Sequence, residues 1–331
     1  ITGFVEYAEV AGNSFNNTSS GVLELRHFAD TDGDGARDTK RVAISDFGGP
    51  DSVFNNEGTV RLVPVTGETT TDATGYYAPT TGADSRQLEP TFYDMNRTGI
   101  VQAQLVNLGT FNHAGVIDLR GNAIGNTLVI TGGAGDPAVF VSNGGKLYVN
   151  AVLNEGLAPG GASNSHADML IVDSTRLGSA PTAIEVGYDP ALLGALTTGN
   201  GIQLVEVRNK AASAAGVFVL ENRIVAGAYE YELFHNGLEG DAADGNWYLR
   251  NTLVETLEPG TDPVPPGDPD KGGTPQPDPE PQPEYPNYRP EIPTYVALPA
   301  LAHRFGMEML GNYHDRVGQD YIHLPVANPA L

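Results

Sequence analysis

The sequence predicts an all-β solenoid, a parallel β-helix closed by an aromatic β module, followed by an extended proline-rich linker and one α-helix. Three observations predict it. A short apolar strand preceded by Asn and Gly recurs along the first half of the chain. Aromatic residues gather on short strand candidates between Tyr229 and Tyr248. Proline then crowds into one stretch before a helical spacing of apolar residues begins.

The recurring unit organises residues 1–153. Phe15-Asn16-Asn17 leads to Gly21-Val22-Leu23-Glu24-Leu25, and Phe54-Asn55-Asn56 leads to Gly58-Thr59-Val60-Arg61-Leu62. Phe111-Asn112-His113 leads to Gly115-Val116-Ile117-Asp118-Leu119, and Asn143-Gly144-Gly145-Lys146-Leu147-Tyr148-Val149 is a weaker copy. Each copy reads as a turn followed by a strand, with Asn and Gly supplying the positive φ of a corner. Leu23 and Leu25 then share one face while Glu24 points to the other. A single unit cannot bury its apolar face, whereas stacked units can. The copies lie 39 and then 57 residues apart. The longer interval is polar and rich in breakers from Thr66 through Pro90, as expected of an insertion leaving a corner. A β-sandwich with similar hairpins is the competing reading.

Residues 154–252 have a different texture, with strand candidates at 168–172, 182–188, 201–207, 217–220, 228–234 and 246–250. Tyr229, Tyr231, Phe234, Trp247 and Tyr248 lie on the last two, and Trp247 is the only tryptophan. Such residues suit a compact cap over the open apolar end of a stack. Residues 253–298 hold most of the prolines, in runs such as Pro275-Gln276-Pro277-Asp278-Pro279, and read as an extended, mobile polyproline-type spacer. Over 299–318 the residues Leu301, Phe305, Met309 and Leu310, then Tyr313 and Val317, recur at helical steps. Pro299 suits a first turn and Gly318 a stop, while Gly306 and Gly311 leave the helix dependent on a surrounding partner. Residues 319–331 form a tail.

The charge excludes one class of partner. A formal net charge of −23 leaves too few cations to neutralise phosphates, so nucleic acid is not expected. With no cysteine, disulfides and thiolate sites are excluded. The sharpest local motif is Asp30-Thr31-Asp32-Gly33-Asp34-Gly35-Ala36-Arg37-Asp38. Its alternating carboxylates resemble the first part of a calcium loop, with Asp30, Asp32, Asp34 and Asp38 as ligands. Arg41 stands where the bidentate Glu belongs, and a solvated acidic corner is the alternative. Ser163-Asn164-Ser165-His166-Ala167-Asp168 holds triad residue types on one short loop, which is a turn rather than a catalytic constellation. No other cofactor is expected.

Three stretches carry a family resemblance. Tyr288-Arg289-Pro290-Glu291-Ile292-Pro293, Ala297-Leu298-Pro299-Ala300-Leu301-Ala302 and Leu310-Gly311-Asn312-Tyr313-His314-Asp315-Arg316-Val317-Gly318 resemble the segment preceding the β-barrel of pertactin-like autotransporters. Ala226-Gly227-Ala228-Tyr229-Glu230-Tyr231-Glu232-Leu233 and Asn246-Trp247-Tyr248-Leu249-Arg250 are similar to the end of that family's passenger, and Asp168-Met169-Leu170-Ile171-Val172 to an element of the same module. The resemblance implies a right-handed β-helix passenger with a C-terminal autochaperone that templates coil folding during outer-membrane secretion. It implies a barrel beyond Leu331, barrel-assembly machinery as partner, a bacterial cell-surface location, an adhesin or virulence role with a host-surface ligand, and no enzyme activity. A polysaccharide-binding or polysaccharide-processing β-helix is the alternative.

Overall fold

The computed structural model describes residues 1–3, 5, 7, 10, 12–25, 42–63, 102–121, 124–133, 135–156, 167–238, 243–254 and 284–311. The calcium-type loop, the insertion around 66–95, the triad-like loop before Ala167, most of the proline-rich stretch and the tail lie outside the described residues. Two units divide the chain, Ile1–Asn287 and Tyr288–Leu331.

In the first unit three strands make one coil. After β1 (Thr2–Gly3), the first coil holds β2 (Ser14–Asn17), β3 (Val22–Leu25) and β4 (Val42–Asp46). The second holds β5 (Val53–Asn56), β6 (Thr59–Leu62) and β7 (Gln102–Val106), and the third β8 (Thr110–His113), β9 (Val116–Asp118) and β10 (Thr127–Ile130). The fourth holds β11 (Val139–Asn143), β12 (Lys146–Asn150) and β13 (Met169–Val172), and the fifth β14 (Ser174–Ala180), β15 (Thr182–Gly187) and β16 (Ile202–Val207). Equivalent strands pair in parallel and form three sheets. Sheet A runs β1-β3-β6-β9-β12-β15, sheet C runs β2-β5-β8-β11-β14, and sheet B begins β4-β7-β10-β13-β16. This is a parallel β-helix.

Register follows the repeat. Leu23, Val60, Ile117, Leu147 and Ile184 stand side by side across sheet A, all buried. Glu24, Arg61 and Asp118 align on its outer face. Arg61 Nε donates to Glu24 Oε1 at 2.9 Å, while Asp118 pairs with Arg120. Sheet B departs from simple alternation. Leu128, Ile130, Leu170 and Val172 join the core, yet Val129 and Ile171 on the opposite face are also buried, so these strands read as near-continuous apolar runs.

The Phe-Asn-Asn segments prove to be the strands of sheet C rather than turns. Gly21, Gly58 and Gly115 at the corner into sheet A do not take the left-handed backbone; they are glycine because neighbouring coils touch there. A Cβ on Gly58 would lie 2.3 Å from the Thr18 carbonyl oxygen, and one on Gly115 would lie 2.1 Å from that of Gly58. Within the coils, the longest connections, β3 to β4, β6 to β7 and β12 to β13, all leave at the corner between sheets A and B. Insertions at one corner leave the stacking elsewhere intact.

Parallel stacking continues into β17 (Phe218–Leu220), which adds to β15 in sheet A after a 3-10 turn at Lys210–Ala212. The chain then reverses. β18 (Ile224–Ala226), β19 (Tyr229–His235) and β20 (Trp247–Arg250) are antiparallel, with β20 covering the edge of β16. Beyond it, β21 (Thr252–Val254) pairs antiparallel with β22 (Glu284–Pro286).

The second unit contains α1, Ile292–Leu310. It begins seven residues before the expected start because Pro293 occupies the first turn, where no amide donor is needed. Pro299 therefore falls inside the helix, and the helix ends at Gly311, whose φ of 62° favours glycine. Among the described residues no helix is long and apolar enough to cross a membrane, which says nothing of a β-barrel.

Candidate functional site: the aromatic cap

Alternation along β19 and β20 sorts the aromatic residues onto two faces. Tyr229, Tyr231 and Trp247 pack with the core, whereas Phe234 and Tyr248, paired opposite each other, lie on the other face. The five predicted cap residues therefore share one hairpin and divide into two groups.

Tyr231 anchors the inner group. It is buried, its hydroxyl donates to the Ala195 carbonyl at 2.6 Å, and it accepts the Ala195 amide at 3.0 Å. Burial pushes its phenol up to about 12, so it stays a neutral donor. This side chain ties the hairpin to the 189–198 connection of coil five. Trp247 meets Phe218 edge to face at 5.4 Å between ring centroids, and His235 lies 4.6 Å from it on the other side. The indole Nε1 is buried with no hydrogen-bond partner, so Trp247 serves as apolar area. In the outer group the Arg250 guanidinium lies 4.4 Å over the Phe234 ring, and the Tyr248 hydroxyl donates to Asp244. Burial, reinforced by Asp244, raises the Tyr248 phenol.

The cap ends an aromatic column that sequence reasoning missed. Phe15, Phe54, Phe111 and Phe140 occupy one position on successive coils, at centroid spacings of 4.7, 4.8 and 5.7 Å. Those spacings approach the separation of hydrogen-bonded strands. Thr175 takes the position on coil five, and Phe218 from β17 reaches across to Phe140 at 5.6 Å. Trp247 is the last ring. The Phe of each repeat was the available signal.

A polar ladder runs beside it. Asn17 donates to Asn56 at 2.8 Å, Asn56 reaches His113 Nδ1 at 3.3 Å, and His113 Nε2 lies 3.1 Å from the Lys146 carbonyl. Outside, Asn16, Asn55 and Asn112 make a second ladder. Burial holds the His113 imidazole at about 4, against the pull of the Lys146 carbonyl.

Two buried carboxylates sit at corners and are fully used. Asp168 accepts the amides of Gly125, Asn126 and Asn150, and Asp173 those of Gly132 and Ala138 together with the Thr131 hydroxyl. Burial raises Asp168 to about 7 although its amide donors favour the carboxylate. Asp173 forms part of the lining of a cleft of about 260 Å³ that Arg208 and Asn209 also line. Its carboxylate oxygens accept from Thr131, Gly132 and Ala138. Among the described residues no cluster of acidic and histidine side chains could hold a metal. Leu301, Phe305, Met309 and Leu310 are all exposed on α1. They belong to the second unit, and the cap residues to the first.

Residues 121–233 match the family described as Autochaperone Domain Type 1. The match runs from coil three through coil five and reaches into β19, short of β20. The chain is 33% identical over 153 residues to an uncharacterized protein, YuaQ, of Escherichia coli K12, covering 46% of this chain and 9% of that protein. It is 29% identical over 214 residues to the adhesin BmaC autotransporter of Brucella suis, covering 62% of this chain and 5% of that protein. With the autotransporter adhesin AIDA-I of Escherichia coli it shares 29% identity over 129 residues, 39% of this chain and 8% of that protein. The chain thus spans less than a tenth of the length of these curated relatives. The stack of parallel coils, its antiparallel closure and the autochaperone match within the chain support reading it as part of an autotransporter passenger.

Proposed function

We propose that the chain is the C-terminal part of a surface-displayed adhesive passenger, and that its aromatic module templates coil folding as the passenger crosses the outer membrane. The observation that carries this reading is the closure of the coil stack. Sheet B stops growing in parallel at β16, where an antiparallel hairpin covers the edge and Trp247 completes the aromatic column. A solenoid grows by adding each coil to the one before it. A hairpin with local pairing orders without waiting for distant strands. If the chain emerges C-terminus first, the module offers β16 a ready edge and each coil then serves the next. Folding outside biases movement outward. The partners are a β-barrel of the same precursor and the machinery that assembles it.

The adhesive part of the proposal draws on the names of two relatives and on the corner at which the longest connections leave. Loops gathered along one edge give recognition a variable surface on a rigid scaffold. The reading takes the role to be adhesive rather than enzymatic, in keeping with the names of those two relatives. Display tests the templating step. Trp247→Ala and Tyr229→Ala should lower the amount of protease-resistant passenger on intact cells several-fold while leaving precursor synthesis unchanged. Native display of both variants would end the templating reading.

A further inference from the structure

The sequence treats residues 253–298 as one linear spacer, but the structure pairs its flanks. Thr252 stands opposite Pro286, Leu253 opposite Tyr285 and Val254 opposite Glu284. Asn287 extends the join. Its amide donates to the Asn251 carbonyl at 2.6 Å, its carbonyl accepts the Glu230 amide at 2.9 Å, and its side chain donates to Glu232 at 3.0 Å. Asn251 is itself fully buried, its side chain accepting from Thr197 N at 2.7 Å and donating to the Ala195 carbonyl at 2.8 Å. β20 pairs with β19 only from Glu232 onward, so the place beside Glu230 is left to Asn287. The segment after the prolines thus completes the edge of the cap hairpin.

We propose that β21, β22 and Asn287 form a clasp that joins the two ends of the proline-rich stretch at the cap. A free polyproline segment gains about 3.1 Å of reach per residue. A segment whose ends face each other across a ladder gains none, because paired residues sit about 5 Å apart whatever lies between them. Length and composition within 255–283 therefore do not set the distance between β21 and β22. The clasp tolerates large insertions and deletions between its two strands.

Hydrogen exchange on the full chain tests the clasp. The Glu230 and Asn287 amides should exchange at least a hundred-fold more slowly than unstructured peptide. Asn287→Pro removes the donor to Asn251 and should speed exchange at Glu230 ten-fold or more. Replacing residues 256–282 with a four-residue Gly-Asn-Gly-Ser turn should leave the protection at Glu230 and Asn287, and the melting temperature, unchanged. Free-peptide exchange at either amide, unaltered exchange at Glu230 in Asn287→Pro, or a cap that melts when the loop is shortened would each overturn the proposal. The inference does not rest on templating. It is read on purified protein and display is read on cells, so either can fail alone.

Discussion

Asn17, Asn56 and His113 hold the same position on three successive coils, and the imidazole carries their ladder on to Lys146. An amide nitrogen can only donate and a carbonyl can only accept, so His113 needs a bare Nδ1 and a protonated Nε2. The neutral ring meets both demands, whereas a charged ring would set N–H against N–H. Its lowered pKa means that the unfolded chain binds more protons between about 4 and 6.5 than the folded one. Stability from this residue is full above 6.5 and is lost as pH falls towards 4, by about 3 kcal/mol. Asp168 runs the other way. Its raised pKa contributes stability that is full below its ordinary range and is lost as pH rises through about 7. The two oppose each other, so a single variant reveals more than the native profile. His113→Gln should gain stability relative to the native chain as pH falls from 7.5 to 4.5, measured by urea unfolding at each pH. The sequence placed His113 in a repeat and Asp168 at the head of a strand, but did not show that either is buried. Which groups a corner buries depends on the neighbouring coil, and that coil lies dozens of residues away.

At the scale of the element, much was legible. Strand candidates at 182–188, 201–207, 217–220, 228–234 and 246–250 match β15, β16, β17, β19 and β20 to within two residues at each end. Alternation and flanking Gly, Pro and Asn carried that information locally. The Phe-Asn-Asn segments were misread as turns because Asn favours turns in isolation. Here each Asn bonds to its copy on the next coil, a gain no single segment reveals. The corner glycines teach the same lesson. Gly58 has no Cβ because Thr18 and Gly21 crowd it from the preceding coil. Gly58→Ala should therefore destabilise the stack by about 1–3 kcal/mol, the cost of forcing packed elements apart. Thermal unfolding checks this against Gly306→Ala, whose Cβ would meet nothing within 4 Å and should leave the stack unaffected.

For the whole molecule, stability in a solenoid is a sum of coils and their interfaces, so a defect at one end should be felt most nearby. Trp247→Ala removes the last ring of the column and opens space against Phe218. A buried aromatic truncated to alanine costs about 3–5 kcal/mol. Exchange protection in that variant should fall first in β16 and β15 and least in β5 and β6, and equal loss along the chain would argue against coil-by-coil stacking. The sequence disclosed the stack and its lid because both are written in repeats and aromatic clusters. It did not disclose the fold-back of β22, because Glu284-Tyr285-Pro286 follows a proline-rich run and owes its strand geometry to β21 alone.

The antiparallel turn of β19 and β20 bears on self-association. A solenoid that simply stopped would expose a row of open amides and carbonyls, and a second molecule could continue it end to end into a fibre. On sheet B the row of β16 is already taken by a strand running the opposite way. On sheet C, β14 shifts register near Gly178 and Ser179, which spoils a straight partner. On these two sheets a second copy therefore finds no straight parallel edge to continue.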